Sequence, residues 1–104
     1  MNLCIVYITA PSMQVAKDIA HVLIDKKLAG CCNILPEMVS IYCWKEEKQE
    51  DHEVVLIAKT TENLTQAVEE AVIATHPYES PCVLVVPVTG GNSVFCNWLR
   101  NQVE

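Results

Sequence analysis

The stretch Leu3-Cys4-Ile5-Val6-Tyr7-Ile8-Thr9-Ala10-Pro11-Ser12 decides the fold. Its first seven residues are mostly β-branched, aromatic or aliphatic and predict a strand, because such side chains suit a pleated, buried surface. Ala10-Pro11 breaks that strand, and Ser12 can cap a helix whose approach Pro11 fixes. Val15, Ile19, Val22 or Leu23 and Lys26 then recur at helical spacing, with Lys17, Asp18, His21 and Asp25 facing out. Gly30, after Leu28-Ala29, stands where a left-handed helix stop belongs.

The rest of the chain repeats this grammar. A second strand is predicted from about Cys32 to Trp44, with Pro36 marking a bulge or bend inside it. Lys45–Asp51 reads as a charged hairpin connection, and His52–Thr60 as the third strand. Asn63-Leu64-Thr65-Gln66 resembles a capping box, and Leu64, Ala67, Val68, Ala71 and Val72 give the second helix a buried stripe. His76-Pro77-Tyr78-Glu79-Ser80-Pro81 is a stiff loop, because two prolines fix φ and exclude helix. Cys82–Val88 is the fourth strand, and Gly90-Gly91-Asn92 leads into a terminal helix over Ser93–Gln102. The order β-α-β-β-α-β plus a C-terminal helix predicts an α+β, ferredoxin-like domain with an antiparallel sheet, one domain over residues 1–104.

Two helices on one side of such a sheet leave its other face bare, and alternation should make that face polar. It does not. Cys4, Val6 and Ile8 are apolar, and so are Leu3, Ile5 and Tyr7; the third and fourth strands repeat the pattern. The surplus face holds about eight large side chains, each worth about 1.5–3 kcal/mol when buried. An open surface of that kind aggregates, so an obligate oligomer is expected. The same surplus shows in composition: 51% of the 104 residues are hydrophobic and 19% charged. The 13 acids against 7 bases give a net charge of −6. An acidic chain without a basic cluster is a poor partner for nucleic acid or an anionic membrane. No apolar run approaches the roughly 20 residues of a membrane span.

The first residues carry no basic flank, so a signal peptide is not expected, and the six cysteines read as reduced thiols of a cytoplasmic protein. No C-x-x-C is present, and adjacent Cys31-Cys32 is a poor structural bridge. Few residues suggest chemistry. Glu46, Glu47, Glu50, Asp51 and Glu53 gather on one hairpin, where they either attract divalent cations weakly or form a solvated edge that discourages strand pairing. Gly90-Gly91 lacks the rest of a nucleotide fingerprint and reads as a turn or as amides for an anion. His76 enters the proline-clamped loop beside Tyr78 and Glu79. With a thiol such as Cys82 it suits a soft or borderline metal, copper or zinc; alternatively it only hydrogen-bonds the end of the helix. A cysteine nucleophile with His76 as base has no third residue to orient it.

The segments Ile8-Thr9-Ala10-Pro11, Leu28-Ala29-Gly30-Cys31-Cys32-Asn33-Ile34, Ser40-Ile41-Tyr42-Cys43-Trp44, Lys59-Thr60 and His76-Pro77-Tyr78-Glu79-Ser80-Pro81 stand in order. With Pro87-Val88-Thr89-Gly90-Gly91 and Trp98-Leu99, they resemble the CutA divalent-cation tolerance family over essentially the whole chain. The resemblance implies a ferredoxin-like fold in a tight, PII-like homotrimer, without established enzymatic activity. It also implies binding of copper or another divalent metal ion, or of a small ligand, in clefts between subunits. Trp44, Lys59 and His76 are the cleft residues it points to, and Tyr78, from the same loop as His76, is placed in the cleft with them. The family's proposed copper ligands fall on Ile8, His76 and Cys82, of which Ile8 cannot ligate and Cys82 brings sulfur in place of a carboxylate. His76 and Cys82 are therefore the metal candidates. Position 46, usually glycine in the family, is Glu46, and Lys48 replaces an apolar residue. The competing reading is a trimeric structural or signalling module that presents its hairpins to a protein partner and has no physiological metal.

Overall fold

The computed structural model describes all residues, 1–104. Its elements are β1 (Leu3–Ala10), α1 (Met13–Asp25), β2 (Cys31–Trp44), β3 (Glu47–Thr61), a 3-10 turn (Glu62–Leu64), α2 (Thr65–Thr75), β4 (Val83–Pro87) and α3 (Ser93–Gln102). The sheet order is β2-β3-β1-β4, and every neighbouring pair is antiparallel. β1 and β2 are thus split by β3, the ferredoxin-like arrangement that the element order predicts.

Local chemistry explains where the elements begin and end. Ser12 caps α1, its Oγ accepting from the Val15 amide at 3.2 Å, and Asn92 caps α3 by accepting from the Phe95 amide at 3.0 Å. Four readings of the sequence need correction. The left-handed residue after α1 is Lys27 (φ 55°), and Gly30 has no positive φ. Gly30 is instead favoured by crowding: a Cβ there would stand 2.7 Å from Leu99 Cδ1 and 3.1 Å from the Leu99 carbonyl oxygen, so the Leu99 side chain and α3 would both have to give way. The capping box before α2 does not form, because Asn63 Oδ1 accepts from Thr61 Oγ1 at 2.6 Å and a 3-10 turn fills the junction. The charged connection shrinks to Lys45-Glu46, both with positive φ, and β3 begins at Glu47. Those two left-handed residues make the tight turn whose twist matches a hairpin. Lastly, β4 covers Val83–Pro87, shorter by a residue at each end than the apolar run.

The core lies between the sheet and the two helices α1 and α2. Val6 and Ile8 of β1, Leu56 and Ala58 of β3, Ile19 and Leu23 of α1, and Val68 and Val72 of α2 form it, all essentially inaccessible to solvent. Thr60 is buried with them and is satisfied by donating to the Leu28 carbonyl at 2.6 Å.

The opposite face carries Ile5, Tyr7, Ile57, Leu84 and Val86, placed there by the strand register. α3 covers one end of it: Leu3 is buried beneath that helix, and Arg100 Nε donates to the Met1 carbonyl at 2.9 Å. Beyond that end the face is open, with Leu84 60% exposed and Leu35 50%. Beyond Val54 the β2–β3 pair leaves the core as a two-stranded arm. The ladder shifts register between Leu35 and Met38, a bulge where Glu37 adopts φ 61°. After the bulge, Met38, Tyr42 and Trp44 pair with Glu53, Gln49 and Glu47, which share the open face with Val55 and Ile57.

Candidate ligand cleft

Where the arm leaves the sheet, the loop after α2 folds back against it and encloses an open cleft of about 560 Å³. Tyr42 and Trp44 reach it from β2, Glu53 from β3 and Thr9 from the end of β1. Tyr78, Glu79, Ser80 and Cys82 close it from the loop. Three of the sequence-predicted residues, Trp44, Tyr78 and Cys82, therefore meet in one place. No lysine or arginine lines the cleft.

His76 lies behind this wall and positions it. The histidine is 6% exposed, and its amide donates to the Val72 carbonyl at 2.8 Å, closing α2. Its Nε2 is 2.8 Å from the Thr9 carbonyl, and its Nδ1 accepts from the Tyr78 amide at 3.1 Å. A carbonyl can only accept and an amide can only donate, so Nε2 carries the hydrogen and Nδ1 supplies its lone pair. The ring is neutral, and both nitrogens are committed within the chain. The Tyr78 ring then packs on the imidazole, 4.7 Å between centroids and tilted by 51°.

The electrostatics are acidic. Tyr42 donates its hydroxyl to Asp51, and that bond, followed by burial and the carboxylates nearby, pushes the phenol up to about 12. Tyr78 also rises, through burial and then the charges of Glu53 and Asp51. Both phenols remain neutral donors at any ordinary pH.

Lys59 does not join this cleft within one chain. It lies six residues along β3 from Glu53, about 20 Å at strand rise, and its Nζ sits 5.4 Å from the Phe95 ring of α3. No three His, Cys, Asp or Glu side chains converge closely enough to enclose a metal ion. The donors of one chain, with His76 doubly hydrogen-bonded, thus do not fit a complete metal coordination sphere. All six cysteines are free. Burial, and then Glu62, raises the Cys4 thiol; burial, and then Cys31, pushes Cys32 up to about 11. Shifts in that direction oppose an activated thiolate nucleophile.

Sequence reasoning did not assign Tyr42, Glu53 and Glu79 to the cleft. The signal for Glu53 was available, since it lies in phase with Val55 and Ile57 on β3. The signal for Tyr42 was hidden by the bulge, which changes the phase of β2.

The sequence profile of the CutA1 divalent ion tolerance proteins matches residues 4–102. The chain belongs to the CutA1 family. It is 43% identical over 98 residues to the divalent-cation tolerance protein CutA of Thermus thermophilus, covering 94% of this chain and 95% of that protein. Protein CutA of the mouse is 40% identical over 98 residues, but the chain spans only 55% of that longer relative. The crystal structure of CutA1 from Oryza sativa superimposes with a TM-score of 0.97 at 39% identity, covering 100% of this chain and 95% of that one. None of these CutA names carries an enzymatic activity. No helix of the chain is long and apolar enough to cross a membrane.

Proposed function

We propose that the chain acts in the cytoplasm as a homotrimer that binds a cation in clefts between its subunits, contributing to divalent-cation tolerance without catalysis. The observation that carries this reading is the cleft itself: aromatic walls with Glu53, Glu79 and Cys82 set among them, and no lysine or arginine in the lining. It opens at the edge of an uncovered apolar face, which a neighbouring subunit would bury. A CutA name on close relatives supports the cation. If that cation is copper or another divalent metal, Cys82 with Glu53 or Glu79 supplies the donors here, and the neighbouring subunit or water supplies the rest. His76 enters that sphere only by giving up its bond to the Tyr78 amide or the Thr9 carbonyl.

Calorimetry with Cu(II), alongside light scattering, tests the proposal. The expected result is a trimer whose copper affinity falls in Cys82→Ala and in His76→Ala while the trimer persists. A monomeric parent, or a parent without cation binding, refutes it. A second reading is favoured by the outer face of the arm, where Val39 is 49% and Ile41 65% exposed. There the trimer presents its arms to a protein partner, and specific capture that survives chelation would select this reading.

A further inference from the structure

The cation-binding cleft, taken as above, has a shape that narrows its ligand class. Its roughly 560 Å³ falls within the size of small-molecule sites and far exceeds one bare metal ion. Its two carboxylates and Cys82 do not come together as a three-donor group, so within one chain the carboxylates act on a ligand's charge and not as a complete coordination shell. Between them stand the rings of Tyr42, Trp44 and Tyr78, each 42–63% exposed and each facing the same cleft. Such rings attract a cation through their electron-rich faces, most effectively one that gives up its hydration cheaply.

Two of the rings are already fixed. Tyr42 is tethered through its hydroxyl to Asp51, and Tyr78 is packed on His76, which also holds the Tyr78 amide. Little ordering remains to be done when a ligand arrives. The carboxylates of Glu53 and Glu79 exclude an anion and disfavour a neutral apolar guest.

We propose that this cleft binds an organic ammonium ion, a quaternary or methylated amine, with its charged head against Tyr42, Trp44 and Tyr78 and with Glu53 and Glu79 as counter-charges. Aromatic faces replace the weak hydration of the methylated head, and the carboxylates balance its charge across the solvent-exposed rim.

The test uses the full chain in its native assembly, with choline, the neutral isostere 3,3-dimethylbutan-1-ol and Cu(II) titrated separately, following the indole signal of Trp44 by NMR. Choline is expected to shift that signal, with the neutral isostere at least about tenfold weaker. Trp44→Ala should weaken choline about tenfold, and Trp44→Phe should restore most of the loss, because the ring and not the indole nitrogen makes the contact. Glu53→Gln should weaken choline severalfold and flatten its salt dependence. Equal binding of choline and the alcohol overturns the proposal. Copper binding at Trp44 without choline binding also overturns it, yet leaves the cation cleft standing. Absence of both removes the two readings together.

Discussion

Leu56 and Leu84 are the same residue type in strands on either side of β1, and they meet opposite fates. Leu56 is fully buried between sheet and helices; Leu84, on the other face, is 60% exposed. The contrast holds for most of each face. One is closed by α1 and α2 over a continuous aliphatic core that leaves out only the edge residue Val85, 46% exposed, while the other is covered where α3 crosses Leu3 and is otherwise largely open, Val55 apart. Composition sets how much apolar surface must leave water, and the number and placement of helices set how much one chain can hide alone. This chain has helices for one face and side chains for two.

The largest predicted effect attacks the open face. Leu84→Glu changes an exposed residue of the single chain, where a surface substitution costs within about 0.5 kcal/mol. If a neighbouring subunit covers that face, the same change buries an unpaired carboxylate, and light scattering should find monomer or aggregate in place of trimer. An unchanged mass would show that no neighbouring subunit covers Leu84, so that the two faces stay as different in the assembly as they are in the single chain. On the closed face, Leu56→Ala should cost about 2–5 kcal/mol in denaturant unfolding, since a filled site becomes a cavity. Gly30→Ala comes next, at about 1–3 kcal/mol, because the added methyl strikes Leu99 and pushes α3 off the sheet.

The smaller effects belong to the arm. Tyr42 holds its proton more tightly in the folded state, where it titrates at about 12, than in the unfolded chain, where the ordinary value is 10.0. Its contribution is therefore complete below pH about 10 and disappears as pH rises through about 12. Tyr42→Phe should remove that alkaline loss from a stability-against-pH profile; an unchanged slope would detach Tyr42 from Asp51. Glu46→Gly should be the mildest change, a gain of about 0.5–1 kcal/mol on thermal unfolding, because φ 66° strains any side chain.

Most of the fold was legible because it rests on alternation and punctuation. Leu3–Thr9, the Ser12 cap and the Asn92 turn all behave as their residue types demand. The doubly apolar strands also announced the open face correctly. What escaped was set by tertiary contact. Gly30 is favoured by a helix almost 70 positions away, which no local rule reports. The capping box lost to the competing hydroxyl of Thr61, and the acids from Glu47 to Asp51 were read as loop because charge density looks alike in a turn and in an exposed strand. For the cleft, the motif containing His76 located the right loop but not its division of labour: the loop offers Tyr78, Glu79 and Cys82, and the histidine braces them from behind.

The arm's bulge has a consequence for how its aromatic row is addressed. From Cys31↔Lys59 to Leu35↔Val55 the two strands keep one phase, and from Met38↔Glu53 to Trp44↔Glu47 they keep another, offset by one residue. The inner phase is anchored by the core, the outer one by a turn with room for only Lys45 and Glu46. The offset must be absorbed between those anchors, and Glu37 in its left-handed conformation absorbs it. Lengthening the turn by one residue would relieve the need for a bulge and let β2 slide into uninterrupted register. Tyr42 and Trp44 would then rotate to the far side of the arm, and Val39, Ile41 and Cys43 would take their place. The length of a hairpin tip, remote from the cleft, thus selects which set of side chains the cleft receives.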